Sequence, residues 1–304
     1  MAGDTSSPKS RDDIMVIRDV GVLNDGEAPK QRATVARAVG GGVVARARRQ
    51  GQLFASAGYV VIAAAVVLAI WQAVVRIFHI SQLILPAPTD VLTALINGHS
   101  VFASQLLYTL QASFTGLGLG VVTGVIMAVL VTQIRLLYRT LFPLIVAFHS
   151  MPILGLAPVF IVWFGYGTEA HALLAGVLVF WPVFLNMVHG LDGVGGENLF
   201  LFRSYRASRL QMIRKLYFPM SLPFFFVGLD YGVIVSVLGV IVGEFLGSQQ
   251  GMGFLLVQDS TNLATSSVFA VMLILAVVCL LLHAIVLMLR GVSLRWSLPP
   301  SREH

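Results

Sequence analysis

The sequence predicts an all-α, polytopic membrane protein with six transmembrane helices, and three observations carry that prediction. Charged residues make up 11% of the 304 and hydrophobic residues 57%, with a mean hydropathy of +0.86. A soluble domain uses about 25% charged residues to keep its surface in water. The apolar residues gather in six long runs, each near the roughly 20 residues that a spanning helix needs. Nineteen of the twenty Lys and Arg residues fall at alternate connections between those runs.

Taken in order, residues 1–53 are polar, rich in Arg, Gly and Ser, and without a sustained apolar period. They read as a disordered basic cytoplasmic tail, with Arg46, Arg48 and Arg49 at the membrane surface. No signal peptide is expected, because its short apolar stretch would stand much earlier. A transmembrane domain follows over residues 54–296, with a core at 104–290, and a short cytoplasmic tail closes it at 297–304. The apolar runs cover residues 55–75, 105–131, 136–164, 170–188, 222–246 and 268–289. Pro143, Pro152, Pro158 and Pro182 lie inside apolar runs and imply kinked or broken helices whose freed carbonyls are buried in protein.

The cations set the orientation. Nine precede the first run, Arg135 and Arg139 follow the second, five follow the fourth and three lie at the end of the chain. Arg76, at the rim of the first run, is the exception. Cytoplasmic loops are the ones enriched in Lys and Arg, so both termini are expected in the cytoplasm. The net charge of +6 is thereby a topology signal and not a nucleic-acid footprint.

Enzyme chemistry finds no support. There is no Gly-rich phosphate loop ending in Gly-Lys, no His-Glu-x-x-His, no Cys-x-x-Cys and no Gly-x-Ser-x-Gly. The single cysteine, Cys279, excludes an intramolecular disulfide and a cysteine metal cluster. His149, His189 and His283 read as helix-packing histidines. No catalytic, cofactor-binding or metal-binding residue is assigned.

Two acidic residues, Asp230 and Glu244, share the fifth run fourteen residues apart, about four helical turns. A carboxylate in hydrocarbon usually faces a cavity, a partner or the bundle interior. Two readings stay open: a solute path or subunit interface, and a structural pairing near the headgroups. In the second run, Gly116, Gly118, Gly120 and Gly124 include two small-xxx-small steps, which suit close helix packing.

The segment 197–219, ENLFLFRSYRASRLQMIRKLYFP, is too charged to span and too apolar for a plain loop. Leu199, Phe202, Leu210, Ile213 and Leu216 recur at mixed helical spacings among five cations. That pattern suits helices lying against a cytoplasmic partner as well as a helix resting on anionic headgroups.

This segment resembles the cytoplasmic signature loop of bacterial ABC-importer permeases: Glu-Ala-Ala, three residues, Gly, nine residues, then Ile-x-Leu-Pro. Arg206 falls at the glycine position, followed by Ala207 and Ser208, with Leu216, Phe218 and Pro219 at the end. The chain is similar to the sulfonate, taurine and nitrate branch in LPAPTDV at 85–91, SMPILGLAPVFIVWFGYGTEAH at 150–171, FPMSLPFFFVGL at 218–229, GEF at 243–245, GMGFLL at 251–256 and the closing Arg295-Trp296. The likeness covers roughly residues 55–296.

The resemblance implies a type I ABC importer permease whose coupling helix inserts into a groove of an ATP-binding cassette subunit. Arg203, Arg206, Ala207, Ser208, Arg209, Leu210 and Pro219 would make that contact. It also implies a second permease copy, as homodimer or heterodimer, a periplasmic or surface solute-binding protein, and a location in the bacterial inner membrane. Asp230 and Glu244 remain the candidates for the solute path or interface. The chain departs from the family where Phe200, Leu201 and Phe202 replace Glu-Ala-Ala and Arg206 replaces glycine. Those departures imply a reshaped groove on the ATPase or a mixed pair of permeases. The expected solute is a small anion such as a sulfonate, taurine or nitrate, with aromatic carboxylates and pyrimidine vitamin precursors open. The competing class, an autonomous ion-coupled transporter or channel, needs its own coupling-ion site, and few intramembrane carboxylates are there to build one.

Overall fold

The computed structural model describes residues 59, 62–149, 153–194, 200–202 and 204–294, apart from the side chains of Arg135, Ile153, Leu154 and Arg209. The expected tails, Arg203 and the Arg295-Trp296 pair lie outside the described residues. Residues 1–70 and 71–304 form separate units, and the packing below lies within the second.

The described elements are all helical. An apolar helix α1 runs over Ile62–Ile77. It is followed by α2 (Pro88–Asn97), α3 (His99–Gln133), α4 (Arg135–His149), α5 (Ala157–Phe164), α6 (Thr168–Asp192), α7 (Arg209–Met212), α8 (Phe218–Phe245), α9 (Met252–Thr261) and α10 (Thr265–Ser293). Four helices are long and apolar enough to cross a membrane: His99–Gln133, Thr168–Asp192, Leu210–Phe245 and Thr265–Ser293. With the shorter apolar helices Ile62–Ile77 and Leu136–His149, they account for the six apolar runs among the described residues.

The third run, expected over 136–164, is divided. It contains α4, a 3-10 turn at Ile153–Leu156 and then α5. Pro158 sits in the first turn of α5, where the absent N–H costs no intrahelical bond. The short helices α2 and α9 were not anticipated. The LPAPTDV stretch proves to be the opening of α2: Pro88 starts the helix, and the Asp90 carboxylate accepts the Ala87 N–H at 3.2 Å and the Gln82 amide at 3.1 Å.

Helix α6 is the axis of the bundle, buried along most of its length between α3 and α8. Glycines make that enclosure possible from both sides. A Cβ on Gly116 of α3 would fall 2.5 Å from the Ala172 carbonyl, and one on Gly120 would fall 2.6 Å from the Gly176 carbonyl. From the opposite side, a Cβ on Gly228 of α8 would meet the Pro182 carbonyl at 2.8 Å, and one on Gly239 would meet the Ala175 Cα at 2.9 Å. Close backbone approach is how small residues let membrane helices gain van der Waals contact. Gly118, which faces open space, plays no part.

Two apolar cores occupy opposite ends. Ala128, Val131, Val183, Phe184, Met187 and Leu191 join α3 to α6 near the connection into α8. At the other end Val91, Phe102, Val237, Met252, Leu255 and Val271 tie together α2, α3, α8, α9 and α10.

Candidate functional site

Three constellations carry polar chemistry. The first is the segment between α6 and α8. Residues 200–202 are helical, and the chain then turns through Tyr205 and Arg206. The turn is closed by Tyr205 N–H to the Leu201 carbonyl at 3.2 Å and Ala207 N–H to the Phe202 carbonyl at 3.1 Å. Arg206 has φ +51, the left-handed region that glycine enters without penalty. Glycine, which the family pattern has where the resemblance puts Arg206, would take this conformation at no steric cost.

Ser208 then opens α7. Its hydroxyl accepts the Gln211 N–H at 3.3 Å, while the Gln211 side chain accepts the Ser208 N–H at 2.8 Å. This reciprocal capping box satisfies two otherwise orphaned donors of the helix start. Downstream, Ile213–Tyr217 forms a π turn in which the Phe218 N–H reaches the Ile213 carbonyl. Pro219, in the first turn of α8, has no N–H to offer the Lys215 carbonyl, so the ladder widens there. The helical path is nonetheless continuous over Leu210–Phe245. Along the segment Phe200 is 74% exposed, Tyr205 80% and Leu210 74%, whereas Leu216 is buried. Arg203 and the Arg209 side chain lie outside the described residues.

The second constellation surrounds Glu244, which is 1% exposed. Its carboxyl accepts the Thr109 hydroxyl at 2.8 and 3.1 Å and the Gly253 N–H at 2.7 Å. Thr109 in turn accepts the Met252 N–H at 2.8 Å, and the Gln105 side chain accepts the Gly251 N–H. Helix α9 has no local side-chain cap at its start. The donors left over at a helix N-terminus are met here by residues of α3 and α8, and the carboxyl lies at the favourable end of the helix dipole. Gly251 has φ +105, and a Cβ on it would strike the Glu244 carboxyl.

The third is a pair near the middle of α8. Asp230 Oδ1 hydrogen-bonds His283 Nδ1 of α10, with the two side chains 29% and 39% exposed. Asp230 and Glu244 therefore serve different neighbourhoods, and no contact joins them. Among the described residues, no group of three His, Cys, Asp or Glu could hold a metal ion.

Sequence reasoning missed Gln105, Thr109, Gly251 and Gly253, which lie far from Glu244 along the chain or look like ordinary turn residues. It also read His283 only as a packing histidine. A signal for the capping box was present in Ser208-x-x-Gln211, since that spacing marks helix starts.

Residues 120–291 match the family model described as binding-protein-dependent transport system inner membrane component. The formylaminopyrimidine transport permease protein ThiX of Halalkalibacterium halodurans is 31% identical over 228 residues, covering 75% of this chain and 91% of that protein. The taurine transport system permease protein TauC of Escherichia coli is 30% identical over 226 residues, covering 72% and 82%. The putative aliphatic sulfonates transport permease protein SsuC of Bacillus subtilis is 29% identical over 236 residues, covering 76% and 85%. In fold, the chain is similar to a chain of the MetNI methionine ABC transporter in an inward-facing conformation. The TM-score is 0.57 at 19% identity, over 64% of this chain and 97% of that one.

The chain belongs to the family of binding-protein-dependent transport system inner membrane components. It is a membrane permease of the ABC importer type, a transport subunit built of apolar helices.

Proposed function

We propose that this permease carries a small anion, such as a sulfonate, taurine or nitrate, into the cell, driven by ATP hydrolysed on a separate cassette subunit docked against residues 197–219. The observation that carries the reading is the Phe200–Leu210 stretch. It shows four large apolar side chains, Phe200, Leu201, Tyr205 and Leu210, to its surroundings on a segment too polar to enter a bilayer, and after the turn at Tyr205 and Arg206 it ends on Leu210, where the helix that continues through α8 begins. An exposed apolar set on a non-spanning segment marks a partner surface. A continuous helix of 36 residues is a lever that carries displacement at its docked end along about 54 Å. Arg206, Ala207, Ser208 and Leu210, with Arg203 and Arg209, form the contact in this reading, and Pro219 marks the joint with α8.

Two permease copies, identical or related, enclose the path, a binding protein delivers the solute, and both termini lie in the cytoplasm, where the cation pattern puts them. The Asp230–His283 pair stands partly exposed near mid-span. Ionisable groups at such depth face water or protein and not lipid, so the pair lies on the solute path or at the seam between copies. Glu244 acts as an internal anchor for α9. The anion class is supported by the names of relatives, which include sulfonate, taurine and nitrate permeases.

The test is gentle extraction of the tagged chain from its host, with mass spectrometry of what accompanies it. A cassette subunit in about equal amount is expected with the wild type, and its loss is expected with Arg206→Glu. A chain that reproducibly emerges alone, while other importers in the same extract stay whole, would end the docking reading.

A further inference from the structure

At the end of the bundle that holds Glu244, a cleft of about 670 Å³ opens between Tyr108 of α3, Tyr166 and Gly167 ahead of α6, and the 246–250 turn that joins α8 to α9. That volume lies in the range of small-molecule sites. Its lining sets Leu246 and the two tyrosine rings beside a group of polar atoms: two phenols, the Ser248 hydroxyl and the carboxamides of Gln249 and Gln250. None of the lining residues is charged. Among the described residues, none bonds the phenols of Tyr108 and Tyr166 or the carboxamides of Gln249 and Gln250, which leaves four neutral hydrogen-bonding groups around one space.

The cleft is also held in shape from behind. Ser248 N–H donates to the Glu244 carbonyl at 3.2 Å. The Ser248 hydroxyl donates to the Gln250 carbonyl at 2.6 Å and accepts the Gln250 N–H at 3.2 Å. The next residue, Gly251, is fastened to Gln105, one turn from Tyr108 on α3. At Gly247, with φ +150, a Cβ would run into the Tyr166 ring, so glycine there is what lets the ring close over the turn. Groups held in place before a ligand arrives lose little freedom on binding it.

We infer that this cleft is a recognition site for the transported solute. It takes a compact organic molecule with a flat or apolar body and acceptor oxygens, whether sulfonate, carboxylate or carbonyl. The phenols and carboxamides donate to those oxygens while the Tyr166 ring covers the body. With no fixed positive charge in the lining, a bare inorganic anion has only hydrogen bonds to hold it and no ring contact. The inference rests on the permease reading and narrows it to organic solutes.

The test uses the complex as purified from its host, in lipid nanodiscs, titrated calorimetrically with taurine, ethanesulfonate, formylaminopyrimidine and nitrate. Binding of at least one organic probe is expected, with nitrate much weaker. Tyr166→Ala and Gln249→Ala should each weaken that binding about tenfold, the effect of losing one well-placed contact. Val162→Ala, exposed and outside the cleft, should change nothing, and all three variants should keep the unliganded melting temperature of the wild type. The inference is overturned if no organic probe binds the wild type, if nitrate binds as tightly as the organic probes, or if binding survives both cleft substitutions. Taurine uptake by intact cells alongside any of these outcomes would leave the permease reading standing and remove only the cleft.

Discussion

At one end of α8, Glu244 is buried and bonded to groups from α3 and α9. At the other end, the helix begins in a segment that keeps Phe200, Tyr205 and Leu210 open to its surroundings. The first end is finished within this chain: each donor at the start of α9 named above has an acceptor, Glu244 for Gly253 and, from over a hundred positions away, Gln105 and Thr109 for Gly251 and Met252. At the second, the hydrogen bonds named above are local: the Ser208–Gln211 box, two turn hydrogen bonds and the widened ladder at Pro219. A region closed by long-range polar contacts behaves as a fixed point. A region with local order and uncovered apolar side chains behaves as one half of an interface. One helix joins the two, so force applied at the open end works against an anchored one.

The largest test of this contrast is Gly251→Ala. The substitution forces a side chain into φ +105 and places its Cβ against the Glu244 carboxyl. Strain at a left-handed position costs about 1–3 kcal/mol, and displacement of a buried carboxyl from its donors adds about 1–3 kcal/mol. The expected outcome is a chain that inserts poorly and aggregates on extraction, read by fluorescence-detected gel filtration. Wild-type elution and melting would mean that the start of α9 is not the fixed point.

Next in size is the pair Glu244→Ala and Glu244→Gln. Alanine leaves the Thr109 hydroxyl and the Gly253 N–H buried without their acceptor, at a cost of about 3 kcal/mol. Glutamine keeps one acceptor oxygen in the same volume and should lose only about 1 kcal/mol. Thermal denaturation in detergent should therefore rank wild type above Gln and Gln well above Ala. Equal losses for both would show that the negative charge, and not the hydrogen bonds, holds the node together.

The same contrast explains what could be read in advance. The apolar runs, the alternation of cations and the glycine steps are one-dimensional patterns, and they gave the spans and the close face at Gly116 and Gly120. The open segment was legible because its signals are local: charge too dense to span, apolar residues too frequent for a loop, and a resemblance carried by contiguous residues. The node was not legible, since Gln105 and Thr109 look like any polar residues near the end of a span. Only three-dimensional proximity gives them a role. The break between α4 and α5 falls between these cases: the prolines announced it, but the length of each piece depends on packing. Asp230 and Glu244 looked equivalent on a helical repeat, yet one is paired and half open and the other is enclosed, because the repeat does not say which neighbouring helix covers which turn.

The smallest effect is expected at Arg206, and it bears on the open end. A side chain held at φ +51 costs about 1–2 kcal/mol relative to the right-handed region, and glycine removes that penalty. Glycine also makes the unfolded chain more flexible, which returns about 0.5–1 kcal/mol. Arg206→Gly should thus stabilise the chain by about 0.5 kcal/mol, seen as a small rise in melting temperature that Arg206→Ala does not share. If the turn shape is what the cassette subunit recognises, Arg206→Gly should also keep the subunit bound and solute uptake intact, in contrast to Arg206→Glu. Loss of the subunit from Arg206→Gly would instead mean that the guanidinium itself makes the contact, and that the groove facing this chain is acidic.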